Sequence, residues 1–470
     1  WVKRSKIAAN QYFFGCNANT NNTDSLYFSF AEGSFNVLSY GYFWRTTTAV
    51  FRDPSAWYHV VVAVDTTQAT ANNRIRVYIN GVEQTSFSTI NNPGNNADMG
   101  ISQASAHVIG DYAVSGGLYF NGYLADIHFI DGQALDPTSF GEFSATTGVW
   151  MPKAYTGSYG TNGFKLNFSD NSAATATTLG KDSSGNGNNW TPNNLSVTAG
   201  AGNDSLVDVP TNGSETDTGA GGQVRGNYCT WNPLDLVSTT LANGNLQASG
   251  STDVAGVSGT IGISSGKWYW EVTAGSTYDV IGIWSTTSRV TSYPGDTSSS
   301  YGYFGSTGNK INSGAGSSYG ATFTANDVIG VALDLDAGTL TFYKNGVSQS
   351  TAFSSLAGGF RPAVRAGNAS GASTATYLNA GARQFAYTAP SGFKALCTAN
   401  LPAPVVTKPT TVFDALTFTA TNTNNTVVTG LGFQPSLVWG KSRTNAYDHQ
   451  LYDAVRGVNK SLISNNTNAE

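Results

Sequence analysis

The side chains best suited to catalysis are few and far apart in this sequence. The four histidines, at positions 59, 107, 128 and 449, do not show the HExxH spacing of a zinc protease. His59 and His128 lie within apolar stretches, which favours structural roles. A phosphate-binding P-loop and a strand with alternating acids are both missing from the sequence. The sequence therefore predicts a protein that is not an enzyme.

Metal and thiol chemistry are weakly indicated as well. The stretch DLDAGT, residues 334–339, begins like a calcium loop but lacks the later ligands of an EF-hand, so we expect a simple turn. Cys16, Cys229 and Cys397 are too few and too far apart for a disulfide framework or a structural zinc site. They are expected to be buried apolar residues, and no cofactor is predicted.

Aromatic rings in glycine-rich segments are the stronger sign of binding. An exposed ring beside amide or guanidinium groups suits a sugar, whose flat apolar face lies next to hydroxyls. Two segments have this composition: SYGYFWR, with Tyr42, Trp44 and Arg45, and SSSYGYFGSTGNKINSG, with Tyr301 and Tyr303. These five are candidate ligand-binding residues, although strand alternation is expected to bury some of the rings.

The composition indicates a folded, turn-rich β protein. Charged residues make up only 11% of the 470-residue chain, glycine alone counts 54, and aromatic residues reach 12%, which supplies enough apolar surface for folding. The length predicts about two to four domains. A net charge of -5 without any basic run argues against nucleic acid as a partner. No apolar stretch is long enough for a membrane helix, so membrane insertion is not expected.

One short phrase occurs twice. RIRVYINGV, residues 74–82, aligns residue by residue with TLTFYKNGV, residues 339–347. In each copy apolar residues alternate with polar ones, and Asn-Gly supplies the positive φ angles of a type I′ turn. Both phrases therefore predict a β-hairpin that serves as scaffold. WYHVVVAVD, residues 57–65, is nearly continuous in apolar residues and predicts a strand covered on both faces.

Short apolar runs separated by turn residues predict an all-β fold of tandem antiparallel β-sandwiches. The predicted domains are a sandwich over residues 1–149, an ordered Gly/Asn/Ser-rich connector over 150–225, a second sandwich over 226–404, and the beginning of a third β domain over 405–470.

Two of these domains resemble known families. WYHVVVAVDTTQATANNRIRVYINGV, HVIGDY and GYLADIHFIDGQALDPTSFGE, within residues 57–142, closely resemble the laminin G-like (concanavalin A-like lectin) jelly roll. GKWYWEV, VIGIW, DVIGVALDLDAGTLTFYKNGV and FRPAV, within residues 266–364, are similar to the SPRY domain in order and spacing. Both resemblances imply two-sheet sandwiches. Against complete members of these families, Trp1 falls inside an early strand and the last domain stops partway, so truncation is expected at both ends.

The resemblance also implies where ligands bind. SPRY domains bind peptide or protein partners through loops at one end of the sandwich, and this adds Trp284 and Tyr293 to Tyr301 as candidates. Laminin G-like domains often hold calcium at one end, which leaves Asp98 and Asp111 as calcium candidates. No motif fixes such a site, so calcium is left open and no metal residue is assigned.

The chain as a whole resembles bacteriophage tail-fibre and virion appendage proteins. DSSGNGNNWTPNNLS, DSLVDVPTNG and the stretch over residues 432–470 look like phrases common in such proteins. The resemblance implies a structural virion protein, on the outside of a phage particle, that attaches to a host-surface glycan or protein. It also implies a homo-oligomer, with a trimer favoured, in contact with other virion proteins. The alternatives are a bacterial secreted or cell-surface adhesin with carbohydrate-binding modules and, more weakly, a glycan-degrading enzyme whose catalytic domain lies elsewhere.

Overall fold

The structure is a computed structural model that describes residues 1–7, 10–17, 26–39, 43–102, 104–112, 117–211, 213–219, 222–367, 374–421, 426–457 and 459–467. The chain forms two compact units, one of Trp1–Glu142 with Pro152–Leu401 and one of Phe143–Met151 with Pro402–Glu470. Regular structure is almost entirely antiparallel β-sheet, with a few short 3-10 turns. The predicted fold class of tandem β-sandwiches is therefore confirmed.

The described residues of the first sandwich and of the segment that follows it form sixteen strands. They are β1 (Val2–Arg4), β2 (Gln11–Asn17), β3 (Leu26–Ala31), β4 (Ser34–Ser39), β5 (Phe43–Val50), β6 (Trp57–Tyr58), β7 (Val60–Val64), β8 (Ile75–Ile79), β9 (Val82–Glu83), β10 (Phe87–Asn91), β11 (Ala106–Ile109), β12 (Gly122–Leu124), β13 (Ile127–Phe129), β14 (Gly141–Phe143), β15 (Trp150–Pro152) and β16 (Phe164–Leu166). Short 3-10 turns cover Ala71–Asn73, Gly100–Ser102 and Pro137–Ser139.

Two layers of sheet form the first sandwich. One layer is six-stranded, in the order β10-β5-β4-β3-β2-β11. The other consists of three separate pieces, β12-β1-β6, β7-β8-β9 and β13-β16. Alternate residues of each layer meet in one core, such as Phe30 and Phe35 from the first and Ile75 and Val77 from the second, because side chains alternate between the two faces of a strand.

The segment after the first sandwich is anchored by its few apolar residues. Within it, β16 pairs antiparallel with β13, and the ring of Phe164 stacks on Phe129 with 5.5 Å between centroids. The Trp190 ring also contacts Phe164, with 4.9 Å between centroids. Further along, Leu206 and Val207 pack against the core of the second sandwich. This glycine-rich stretch therefore lies along both sandwiches of its compact unit.

The second sandwich contains fifteen strands in the part of it that the structure describes. They are β17 (Trp231–Val237), β18 (Thr239–Ala242), β19 (Gln247–Gly250), β20 (Gly256–Gly259), β21 (Lys267–Thr273), β22 (Val280–Ser285), β23 (Ser300–Phe304), β24 (Asn309–Asn312), β25 (Ala315–Ser318), β26 (Val328–Asp334), β27 (Thr339–Lys344), β28 (Val347–Phe353), β29 (Phe360–Arg365), β30 (Thr374–Asn379) and β31 (Lys394–Ala395), followed by a 3-10 turn at Thr398–Asn400.

These strands form a seven-stranded sheet, β17-β20-β29-β22-β23-β24-β25, and an eight-stranded sheet, β18-β19-β30-β21-β26-β27-β28 with β31 beside β21. Trp268, Trp270 and Val272 of β21 face the shared core. The opposite face of β21 is also covered, because the Glu271 carboxylate accepts hydrogen bonds from the backbone amides of Ala386 and Tyr387. Burial raises the pKa of Glu271, although these hydrogen bonds act to lower it.

The repeated phrase forms the same hairpin in both sandwiches, as predicted. Asn80 and Gly81 have φ angles of +49° and +80°, and Asn345 and Gly346 have +47° and +78°, which are the values of a type I′ turn. The two asparagines share a second role. Asn80 Oδ1 accepts the amide of His59 at 2.7 Å, and Asn345 Oδ1 accepts the amide of Val328 at 2.8 Å. Each asparagine thus ties the turn to the preceding strand.

A buried polar junction joins the first sandwich to the connector and to the start of the second sandwich. Lys3 Nζ lies 2.5 Å from Asp208 Oδ2 and 2.9 Å from Asn227 Oδ1. Trp57 Nε1 donates to the other Asp208 oxygen at 3.0 Å. Lys3 is also 4.5 Å from the centroid of the Tyr123 ring. We call Lys3, Trp57, Tyr123, Asp208 and Asn227 the junction.

The second compact unit has little regular structure in its described residues. It contains a 3-10 turn at Pro409–Thr411 and the strands β32 (Leu437–Gly440), β33 (Gln450–Asp453) and β34 (Leu462–Ile463), which form one antiparallel sheet. Phe413 and Trp439 are exposed there. Across both units, no helix in the described residues has the length and apolar character needed to span a membrane.

Candidate binding surfaces

Of the three candidate residues in SYGYFWR, Trp44 is the one that the structure describes and that is exposed. Tyr42 lies outside the described residues. Trp44 is 45% exposed on β5, where it pairs with Asn91 of β10 and Leu38 of β4. Its exposed indole remains a candidate for stacking against a ligand.

Arg45 points the other way and is buried. Its guanidinium donates hydrogen bonds to the carbonyls of Ile75 and Asn72 and to the side chain of Asn92. It also lies 5.2 Å from the centroid of the Phe87 ring. Burial lowers the pKa of Arg45. The prediction that Arg45 binds a ligand is corrected, because its donors hold the chain around β8 and β10.

Two candidates of the second sandwich are also core residues. Trp284 and Tyr303 are buried, which leaves neither ring a surface that a ligand could reach. Trp284 packs against Val290 and Ala363 on the outer face of its sheet. The Tyr303 ring meets Phe323 and Phe342 in the inner core. The predicted binding role of both residues is therefore corrected to a packing role.

Tyr301 is half-buried and belongs to the edge of the same core. Its ring lies edge-on to Phe353, at 4.9 Å between centroids, and to Phe360, at 5.9 Å. The three residues that the SPRY resemblance suggested fall in different clusters, because Tyr301 packs against this core, Trp284 packs with Val290, and Tyr293 packs against Arg365.

Tyr293 belongs to a different cluster, built around a buried guanidinium. Arg365 lies 5.2 Å from the ring centroids of both Tyr293 and Phe304. It donates hydrogen bonds to the carbonyl of Tyr278 and to the carbonyl of Asp253. One cation therefore holds together the ends of β29 and β23 and the loops before β20 and β22.

The buried side chain of Asp279 stabilises the same loops through hydrogen bonds. Its buried carboxylate accepts hydrogen bonds from the amides of Gly275 and Gly367, from the amide and hydroxyl of Ser276, and from the hydroxyl of Thr376 at 2.7 Å. Burial raises the pKa of Asp279, although these hydrogen bonds act to lower it. The carboxylate thus ties two loops and one strand into a single arrangement.

We call this region the loop end; it consists of residues 251–255, 274–279 and 366–367 with Tyr293, Phe304 and Arg365. Its exposed apolar groups are Tyr278, 39% exposed, and Val254, 51% exposed. Tyr293 and Phe304 are half-buried beside them. Sequence reasoning found Tyr293 but missed Tyr278 and Val254, since each lies in a short loop without a motif. The one available signal was Asp279, an acid directly before the apolar strand β22.

The remaining predictions concern the acidic residues considered for metal binding and the three cysteines. Within those residues no three His, Cys, Asp or Glu side chains are grouped so as to hold a metal ion. Asp334 accepts the amides of Asp336 and Ala337, so DLDAGT forms the expected turn. All three cysteines are buried, as predicted, and none forms a disulfide in the structure. Asp98 is exposed, and Asp111 accepts the amide of Tyr112.

Family models match three segments of the chain. The concanavalin A-like lectin/glucanases superfamily matches residues 1–139, the SPRY domain matches residues 267–379, and a domain of unknown function (DUF7483) matches residues 408–470. The chain therefore carries a concanavalin A-like domain followed by a SPRY domain.

The curated relatives match a smaller part of this chain. Ran-binding protein 9 of Xenopus tropicalis is 36% identical over 148 residues, which is 28% of this chain and 27% of that protein. The human protein of the same name is 36% identical over 148 residues, covering 28% of this chain and 20% of that protein. The Ran-binding proteins 9/10 homolog of Drosophila melanogaster is 35% identical over 148 residues, covering 28% and 15%. The match thus spans about a quarter or less of these relatives' length.

Solved structures are similar over about a third of the chain. The SPRY domain of human HERC1 is 22% identical with a TM-score of 0.28, covering 32% of this chain and 96% of that chain. Stonustoxin is 25% identical with a TM-score of 0.27, covering 32% of this chain and 27% of that chain.

Proposed function

We propose that the protein is a non-enzymatic binding protein whose SPRY domain captures a protein or peptide through the loop end. The observation that carries this proposal is the pair of exposed apolar side chains, Tyr278 and Val254. Their loops are held in place by hydrogen bonds with the buried side chains of Arg365 and Asp279. Loops that are already ordered lose little entropy on binding. An exposed tyrosine beside half-buried rings has the composition of an interface hot spot. The curated relatives are named as Ran-binding proteins, which supports a binding role.

We propose further that the protein is a structural component of a bacteriophage fibre or appendage, on the outer surface of the virion. The order of the two domains, the low charge content and the phage-like phrases in the connector and C-terminal segment support this assignment. Its proposed partners are further copies of itself, most simply in a trimer, other virion proteins, and a host-surface glycan or protein. A bacterial secreted or cell-surface adhesin is the alternative.

The binding proposal is tested with a random-peptide display library and a glycan array, each probed with the whole chain. Tyr278→Ala should reduce peptide capture at least about tenfold, since hot-spot truncations remove about 1.4 kcal/mol or more. Tyr119→Ala is the matched control, because Tyr119 is an exposed tyrosine of the first sandwich. Equal loss in both variants, or no capture by the unaltered chain, would overturn the proposal.

The same glycan array tests the first sandwich. If Trp44 stacks on a sugar, Trp44→Ala abolishes array signals that Tyr278→Ala leaves intact. Glycan signals that persist in both variants would remove both surfaces from consideration.

The virion proposal is tested by the genes that neighbour this one and by the mass of the purified protein. Portal, capsid and tail genes alongside are expected; a signal peptide or a cell-wall anchor in the full gene would favour the adhesin. A trimer is the expected mass, and a stable monomer of the full protein would contradict it.

A further inference from the structure

The junction brings an amine, a carboxylate and a side-chain amide together in one buried site. Lys3 Nζ lies 2.5 Å from Asp208 Oδ2 and 2.9 Å from Asn227 Oδ1. The side chains of Lys3 and Asp208 are each only 1% exposed. An amine and a carboxamide are the two reactants of amide exchange, and a carboxyl group beside them can supply the acid and base catalysis that this reaction needs.

The register of β1 places Lys3 between two aromatic rings. Lys3 lies opposite Tyr123 of β12 and Trp57 of β6, and residues directly opposite each other point to the same face of a sheet. Val2 packs in the core, so Lys3 points to the outer face. Its Nζ is 4.5 Å from the centroid of the Tyr123 ring and 5.7 Å from that of the Trp57 ring. The amine is therefore shielded from water although it lies on the outer face.

Backbone contacts fix both partners of the Lys3 amine. Asp208 and Gly226 form a parallel β-bridge, which brings the next residue, Asn227, beside the carboxylate. Thr398 holds the backbone of Asn227 in turn, because its hydroxyl accepts the Asn227 amide at 2.9 Å and its own amide donates to the Asn227 carbonyl at 2.9 Å. The reacting groups are thus held together by the fold and need little further ordering.

The side-chain amide of Asn227 is oriented toward the amine. Its Nδ2 donates to the Ser55 carbonyl at 2.6 Å, which leaves Oδ1 facing Lys3. Since Cγ is bonded to Oδ1 at about 1.2 Å, a small movement of the Lys3 side chain brings Nζ to the distance of about 3–3.5 Å from which attack on the carbon begins. Asn227 is only half-buried, so a small leaving molecule has an exit to solvent.

The Asp208 carboxylate is placed to carry protons for this reaction. Its Oδ2 accepts directly from Lys3 Nζ, and its Oδ1 accepts from Trp57 Nε1 at 3.0 Å. Burial raises the pKa of Asp208, although Lys3 and Trp57 act to lower it. A raised pKa favours transfer of a proton from the ammonium to the carboxylate. The transfer leaves a neutral amine, which is the nucleophilic form.

We propose that Lys3 and Asn227 become joined by an isopeptide bond in the folded protein, with Asp208 as the catalytic acid and base. The Asp208 carboxylate takes one proton from the ammonium, and the freed electron pair of Nζ forms a bond to Asn227 Cγ. Asp208 passes that proton to Nδ2 and takes a second one from Nζ. The Cγ–Nδ2 bond then breaks with its electron pair on nitrogen, and the ammonia takes the second proton and leaves as ammonium. Asp208 is a carboxylate again, and no oxidant or other co-reactant is consumed.

The bond ties the first sandwich covalently to the start of the second. Lys3 and Asn227 are 224 residues apart, so the link closes a long loop and restricts the unfolded chain. It also removes the charge of the buried ammonium. The energies of the Lys3–Asp208 ion pair therefore refer to chains in which the bond has not yet formed.

The test is the intact mass and the peptide map of the purified whole chain. We expect a mass below that of the sequence by one ammonia, and a branched peptide that joins the segments of Lys3 and Asn227. The branched peptide is needed because an asparagine that cyclises on its own backbone also loses ammonia. Lys394 and Glu215 are the internal control, since their Nζ–Oε1 distance is also 2.5 Å but both side chains are exposed, and they should stay unlinked. The full sequence mass with two linear peptides would overturn the proposal.

Three variants test the role of each group, with the linked fraction followed over time after cell-free synthesis. Lys3→Arg and Asn227→Ala should keep the full mass of their sequences. Asp208→Asn keeps the shape of the side chain but cannot accept the proton, so linking should slow at least about a hundredfold. Linking at an unchanged rate in Asp208→Asn would overturn the catalytic role of Asp208. The mass of the unaltered chain tests the bond itself even where a variant fails to fold.

Discussion

Burial determines the behaviour of His59. Its ring stacks on the indole of Trp1 at 4.5 Å between centroids and is only 5% exposed. Burial lowers the pKa of His59 to about 3, and the nearby amino group of Trp1 and His128 act in the same direction while Asp126 opposes them. The imidazole is therefore neutral in the folded protein at any pH near neutrality, as expected for a structural histidine.

This burial predicts a loss of stability in acid. The folded-state pKa of about 3 lies below the unfolded value of about 6.5, so the unfolded chain binds one more proton between these values. The contribution of His59 is complete above pH 6.5 and is lost as the pH falls toward 3, at up to about 1.4 kcal/mol per pH unit. His59→Gln should flatten the pH dependence of urea unfolding between pH 4 and 7. His449→Gln, in the other compact unit, should not, and an unchanged slope in His59→Gln would contradict the assignment.

The sequence predicted which aromatic residues lie on strands. It did not predict which faces of those strands are covered by other parts of the chain. Trp284 illustrates the reason. Alternation along β22 assigns one inward and one outward face, and Trp284 was expected near solvent. Its outward face is covered by Val290 from the loop between β22 and β23. A loop that folds back over a sheet leaves no periodic pattern, so burial of this kind is invisible before the structure.

At the scale of the single element, the repeated hairpin follows most directly from its sequence. Alternating residues and the Asn-Gly pair specified both strands and the turn. The hydrogen bond that each asparagine accepts from a backbone amide of the strand before it could not be predicted, because it depends on how that strand is placed. Asp279 is a similar case, since its partners Gly275, Gly367 and Thr376 come from three different parts of the chain.

The turn after β27 should not tolerate alanine. In Gly346→Ala the new Cβ would lie 2.5 Å from a ring carbon of Tyr387, at a φ of +78° that disfavours side chains. We expect a loss of about 1–3 kcal/mol in the free energy of unfolding. Gly392→Ala is the matched control, because Gly392 has a φ of +83° but nothing within 4 Å of the added carbon. The difference between the two variants measures the ring contact, and equal losses would show that the contact is unimportant.

The loop end should loosen when its central carboxylate is changed. Asp279→Asn replaces one acceptor with a donor that faces the amides of Gly275 and Gly367 or the hydroxyl of Thr376. About 1–3 kcal/mol of local stability should be lost, seen as faster hydrogen exchange at Gly275 and Gly367. Asp253→Asn is the control for loss of a charge in the same loops, because the Asp253 side chain is 68% exposed and its ion pair with Arg365, at 3.8 Å, is screened by solvent. If exchange at these amides is unaltered in Asp279→Asn, the carboxylate does not hold the loops.

At the scale of the whole molecule, the junction determines how the larger compact unit holds together. Lys3 and Asp208 are both almost fully buried. Burial raises the pKa of Asp208, while the Lys3 ammonium and the Trp57 indole act to lower it. Nothing in the sequence links these positions, since they are 205 residues apart and neither belongs to a recognisable motif.

Removing the Lys3 ammonium should therefore lower the free energy of unfolding substantially. Lys3→Met leaves the Asp208 carboxylate buried without its cation, and we expect a loss of about 3–5 kcal/mol in the free energy of unfolding. Lys3→Met with Asp208→Leu should recover much of that loss, because both charges are then absent. Lys394→Met breaks the exposed pair with Glu215 and should cost less than about 1 kcal/mol. Chemical denaturation checks all three, and equal effects of Lys3→Met and Lys394→Met would contradict a buried, paired charge.

The junction also governs the order of events during synthesis. Asn227 is 224 residues beyond Lys3, and the Asn245 side chain reaches back 240 residues to the Ser5 carbonyl. A ribosome adding about 5–20 residues per second leaves the Lys3 ammonium unpaired for roughly ten to forty seconds after it emerges. The nascent first sandwich therefore lacks these buried hydrogen bonds until the connector and the start of the second sandwich have been synthesised.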